Sequence, residues 1–267
     1  MQRFGQCAFS VLNSCTLQDG DLGIGIRTRS VSSSICYGPV NMAGLWLSPD
    51  DVRKLEPVPD GLAKALGWTE DFIAHPHEQL GRAGAVCPFV PGALERQTLY
   101  FREEPSAKTA KQVNAVVDEA LNDFAELPPT DEQEEQFKSL IMVFPGVQLD
   151  RAKEVIDAVQ RRRKADFVER CLMIGQFHKL NDTPAVHNPD FYAFQSPVPM
   201  LAVRVLVATD NLFMTLPEYS PDEQFRFLSG YYKCLQRWPG SEKRKAEVYR
   251  TMEDLAEVMR KLAEESP

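Results

Sequence analysis

The apolar positions of this chain follow two periods, and they alternate along its length. Val113, Val116, Val117, Ala120, Leu121 and Phe124 recur at 3.6-residue spacing, which predicts an amphipathic helix over 107–127 that buries one face. Ser139 to Phe144 is a continuous apolar run closed by Pro145-Gly146, the pattern of a short strand buried on both faces. Residues 97–102 alternate loosely and are rich in β-formers, so they read as a strand ahead of that helix. Residues 150–168 carry Val155, Ile156, Val159 and Phe167 on one side and predict a second helix. Residues 171–178 and 200–207 read as two further strands.

Helices flank this block on both sides. Ser48-Pro49-Asp50-Asp51 is a helix start with a capping serine and a first-turn proline. A second helix is expected over 62–75, ending at His75-Pro76 because proline disfavours helical geometry in the residue before it. Phe225, Leu228, Tyr232 and Leu235 mark a helix over 221–237. Val248, Met252, Leu255, Met259 and Leu262 mark another over 242–264. The order strand, helix, strand, helix, strand, strand predicts an α/β fold, an α+β sandwich on a mixed sheet of about four strands. Crossover helices join the strands, with the N-terminal helices before them and two C-terminal helices after.

Residues 45–267 are expected to form a single globular α/β domain, since no stretch between 45 and 264 resembles a linker. Residues 1–44 differ from the rest. They hold half of the six cysteines, are poor in charge, and show no persistent period. Three readings stand for them: a disordered tail, a non-native extension before a start at Met42, or a targeting peptide.

Composition narrows the function classes. A net charge of −8 makes a general nucleic-acid binder a poor expectation, because phosphate affinity needs clustered Lys and Arg. The one basic run, Arg161 to Lys164, has acidic neighbours and reads as a solvated helix face. The cysteines are too sparse for a disulfide scaffold and form no CxxC pair, which disfavours a thiolate zinc site. No membrane partner is expected, since no apolar run is long enough to span a bilayer. A cytoplasmic, reducing setting is the default expectation. Nucleophile-elbow, P-loop, HExxH and EF-hand patterns are absent.

The densest chemistry lies between His75 and Phe89, a segment too broken by Gly and Pro to be helical. His75 and His77 flank a proline and cannot share a helix face. With Glu78 they make a weak metal set, and a capping His75 with a solvated His77 is the plainer reading. Gly81 and Gly84 bracket Arg82, which is a candidate clamp for a substrate carboxylate or a tie within its own loop. Cys87-Pro88 presents a thiol from a rigid turn, a candidate nucleophile or iron ligand, while burial and inertness are the commoner state of a free cysteine. His178 ends a predicted strand, where α/β folds place site residues, and a long polar loop with His187 follows it. Arg204 sits among apolar neighbours in a strand and needs a partner: Asp210, Glu169 or a ligand carboxylate.

Three stretches together, Gly81 to Leu94, Leu172 to His178 and Ser196 to Arg204, resemble an uncharacterised domain family found in microbial specialised-metabolite gene clusters. The resemblance spans roughly residues 45–264. More distantly, the order of elements around Cys87-Pro88-Phe89 is similar to that of haem-dependent amino-acid N-oxygenases. That resemblance implies an oxidoreductase of secondary metabolism that binds haem and acts on a small amino-acid-like substrate. His178 or Cys87 would then be the catalytic group and haem ligand, with His178 as the metal-binding residue. Arg82, Arg204 and His187 would bind substrate. The alternatives are a cofactor-free enzyme with Cys87 as nucleophile, and a non-catalytic domain that binds a small molecule or a partner.

Overall fold

The computed structural model describes residues 44–265, so the readings made for residues 1–43 lie outside the described residues. A four-stranded mixed sheet organises the chain. Its strands are β1 (Leu99–Glu103), β2 (Ser139–Val143), β3 (Leu172–Phe177) and β4 (Met200–Val205), in the spatial order β1-β2-β4-β3. β1 and β2 run parallel, and β4 is antiparallel to both β2 and β3. The last strand in sequence therefore inserts between β2 and β3 and leaves β3 at an edge. The α/β architecture expected from the order of periods is the observed one.

The helices form because their ends and faces are specified locally. Helix α1 (Pro49–Arg53) is capped by Ser48, whose side chain and that of Asp51 satisfy each other's backbone N–H groups. Helix α2 (Asp60–Trp68) continues into a π-turn through Ile73, and α3 (Val90–Glu95) is a short helix with proline in its first turn. Helix α4 (Ala110–Glu126) starts at a Thr109–Gln112 capping box, and α5 (Ala158–Val168) follows a π-turn over Lys153–Asp157. Helix α6 (Pro221–Leu235) starts at a Ser220–Glu223 capping box, and α7 (Glu242–Glu265) closes the described chain. Among the described residues no helix is long and apolar enough to cross a membrane.

Side-chain alternation along the strands gives the sheet two different faces. On one, Leu140, Met142, Ile174, Leu201 and Val203 meet α4 and α5 through Val113, Val117, Phe124, Val159 and Phe167. On the other, Leu99, Phe101, Ile141 and Val143 meet α2 and α3 through Leu62, Ala65, Leu66 and Ala93. β2 is thus buried from both sides, as its unbroken apolar run requires. A third cluster packs α6 and α7 against the end of α5, with Phe227, Tyr231, Cys234 and Val248 at its centre.

Two readings change here. The basic run is not a solvated face: Arg161 and Arg162 are exposed, but Arg163 and Lys164 are buried where α5 turns inward. Cys171 and Cys234 form a disulfide that ties α6 to the start of β3, an isolated bridge that spacing alone did not reveal. Cys87 is the free cysteine among the described residues.

Candidate functional site

Helices α2 and α3 lie over the β1–β2 half of their face. Over the β4–β3 half the sheet carries its smallest side chains. Gly175 of β3 and Ala202 of β4 are cross-strand partners in register, and Ile141 of β2 faces Ala202 from the other side. Their side chains cannot fill the layer between sheet and roof, and a cavity of about 310 Å³ remains. This is within the size range of small-molecule sites. Its floor is built of alternate residues, among them Ile141, Gly175, Phe177, Met200, Ala202 and Arg204.

The roof is the segment singled out in the sequence. Leu80, Arg82, Val86, Cys87 and Phe89 line the cavity, and the loop after β3 completes the roof with Ala185, His187 and Phe194. The two loops are fastened together. Gly81 has φ +75°, and a Cβ there would lie 2.8 Å from the His187 carbonyl oxygen, so this contact needs glycine. Asn188 Nδ2 donates to the Gln79 carbonyl at 2.7 Å, and the His77 ring stacks on Phe191 with centroids 4.5 Å apart. His77 Nδ1 also accepts from the Gln79 N–H, so His77 is a structural residue of the turn, while His75 is exposed.

Arg82, Cys87, His187 and Arg204 therefore meet around one cavity. Their states differ. Arg82 turns back on its own loop, with Nη1 donating to the Ala83 carbonyl and Nη2 to that of Val86. His187 is exposed at the rim. Arg204 makes a bidentate pair with buried Asp210, at 2.7 and 2.8 Å, and Asp210 also accepts from the Val207 N–H. The guanidinium charge is neutralised inside the protein, so a substrate carboxylate would have to compete with Asp210 for it. Half-buried Cys87 lies in the wall near Arg204.

His178 is placed elsewhere. It is not a lining residue of the cavity; it is fully buried, and its Nε2 lies 2.8 Å from Asp157 Oδ1. Its Nδ1 is enclosed without a partner. Sealed on one side and bonded on the other, this imidazole does not fit the axial role expected of it at a haem iron. Among the described residues no group of three His, Cys, Asp or Glu side chains is arranged to hold a metal ion.

Lys164 is a charged residue of the cavity wall that the sequence did not single out. It projects from α5 into the end wall of the cavity and is 1% exposed. Burial pushes its ammonium down to about 7, against the opposing fields of Glu218, Asp210 and Glu223. Its Nζ donates to the Phe213 carbonyl and to the Tyr219 hydroxyl at 3.0 Å, and it sits 4.4 Å from the centroid of the Tyr219 ring. Burial raises Tyr219 well above the usual phenol range. Lys164 was hidden in the sequence because its run of four basic residues reads as uniform.

A family model matches residues 62–237, a span described as a domain of unknown function, DUF6875. The chain belongs to this family. Every residue of the cavity lies within the DUF6875 span, whereas α1 and α7 lie outside it. No curated protein and no solved structure matches the chain.

Proposed function

We propose that this domain binds a small, largely apolar organic molecule with one polar end. The Gly175–Ala202 pair carries this reading, because two neighbouring strands place their smallest side chains side by side on the cavity floor, where no bulky group fills the space above the sheet. The polar end is assigned from a neighbouring groove. Gln160, Gln176 and Thr183 line both spaces, and Lys153, Asp157, Arg161, Asp182 and Glu218 line only the groove. A ligand whose carbon skeleton lies on the sheet face can thus present a hydroxyl, amide or carbonyl group at the edge of β3.

Titration with anilinonaphthalene sulfonate tests the reading. One saturable site is expected in the native protein. Ala202→Phe should weaken it at least about tenfold, since the added ring occupies the floor, while stability changes by less than about 2 kcal/mol, within the usual range for added core volume. Equal affinity in the two proteins would place the probe elsewhere and overturn the reading.

A further inference from the structure

We propose that Lys164 is the reactive group of this cavity and that its amine condenses with an aldehyde or ketone on an apolar chain to form an imine. The inference rests on the reading of the cavity as a small-molecule site, and it names the chemical class of the molecule.

Gln160 and Lys164 are one helical turn apart on α5 and both line the cavity, while Arg161 and Arg162 between them face solvent. The partners of Lys164 also set it apart. Lysine held only as a strut is ordinarily paired with a carboxylate, because an isolated buried charge is costly. Lys138 shows that arrangement in this same chain: fully buried, it donates to two backbone carbonyls and to the Glu135 carboxylate at 3.1 Å. Lys164 has a carbonyl, a hydroxyl and two aromatic rings instead. The acids around it are otherwise engaged or more distant. Asp210, between β4 and α6, pairs with Arg204, and Glu223 of α6 pairs with Arg161. Glu218 acts on Lys164 only as a field.

An amine in this setting is partly neutral near pH 7, and a neutral amine is the nucleophile that carbonyl condensation requires. The Nζ lone pair attacks the carbonyl carbon, the carbonyl π electrons move to oxygen, and one N–H proton follows them to give a carbinolamine. The Tyr219 hydroxyl, 3.0 Å from Nζ, then protonates the departing hydroxyl, which leaves as water while the nitrogen lone pair forms the C=N bond. The remaining N–H proton returns to the Tyr219 oxygen. Amine and carbonyl become imine and water, with no oxidant or reductant. Burial keeps the Tyr219 hydroxyl protonated, so its proton is in place beside Nζ, and the apolar walls exclude bulk water that would reverse the step.

The test uses the full chain, hexanal as carbonyl probe, hexanol as its non-carbonyl analogue, and cyanoborohydride to trap imines as secondary amines. Peptide mapping should find the adduct at Lys164 at pH 7. Its rate should exceed that at solvent-exposed lysines by at least about a hundredfold, since a lysine in water is almost wholly protonated at pH 7. The rate at Lys164 should level off above about pH 7. Lys164→Met should abolish this adduct, and Tyr219→Phe, which keeps the ring, should slow it at least about tenfold with hexanol affinity retained. Labelling confined to exposed lysines while hexanol still binds would overturn the imine and leave the cavity reading standing. Failure of hexanol to bind as well would overturn both.

Discussion

Replacing Lys164 with methionine should make the protein more stable at neutral pH and less stable at high pH. Lysine ordinarily titrates near 10.5, and burial brings this one to about 7. At about 1.4 kcal/mol per pH unit, holding the ammonium inside the fold costs on the order of 4 kcal/mol at pH 7. The sign follows from proton counting. Between pH 7 and about 10 the unfolded chain holds the Lys164 proton and the folded chain does not, so stability rises with pH across this window. Below pH 7 both states are protonated, and this group adds no pH dependence. Methionine has similar length and no charge, but it gives up the hydrogen bonds to Phe213 and Tyr219 and the contacts with the Tyr219 and Phe227 rings, together about 2 kcal/mol. Lys164→Met is therefore expected to gain about 2 kcal/mol at pH 7 and to lose about 1 kcal/mol at pH 10. Urea denaturation of both proteins from pH 6 to pH 10 measures this, and taking their difference cancels groups common to both. A difference that stays constant across the window, or that moves in the variant's favour as pH rises, would refute the reasoning.

Asp210→Asn should cost about 3 kcal/mol, because it leaves the Arg204 guanidinium without its bidentate partner; a loss below about 1 kcal/mol in urea denaturation would show the pair to be incidental. The same variant should bind the anionic naphthalene probe more tightly while hexanol affinity is unchanged, as titration of both ligands would show. His178→Leu should destabilise by about 1–2 kcal/mol through loss of the Asp157 bond, yet leave hexanol affinity within about twofold; a larger effect on binding would bring His178 into the site. Iodoacetamide should alkylate Cys87 at least about tenfold more slowly when hexanol saturates the protein, since the thiol lies in the cavity wall; mass spectrometry of the Cys87 peptide reads the rate, and an unaltered rate would place the thiol outside the ligand's reach.

Long periodic segments were legible in the sequence. The stripe from Val113 to Phe124 and the unbroken run from Ser139 to Val143 could each satisfy only one environment, and they became α4 and the doubly buried β2. The segment from His75 to Phe89 was legible as irregular, because its glycines and prolines fit no regular element, and the structure lays part of it over the cavity, with Gly81 against a backbone oxygen that any Cβ would strike. His178 misled because its strand-end position says nothing about the side of the sheet to which its ring turns; it went to the Asp157 side, away from Cys87 and Arg204. Lys164 was concealed because four consecutive basic residues cover a full helical turn, and only the packing of α5 decides which of them points inward. The cavity itself had a faint signal, Gly175 and Ala202 among bulky strand neighbours, but their adjacency depends on β4 inserting beside β3, a register no single segment encodes.

The most direct test of the account is a crystal structure of the protein soaked with a short-chain aldehyde such as hexanal. The account predicts ordered density against Gly175 and Ala202, beneath the loop from Leu80 to Phe89, with the carbonyl carbon joined to Lys164 Nζ. Density only at other surfaces, with the space above Gly175 and Ala202 holding water alone, would contradict it.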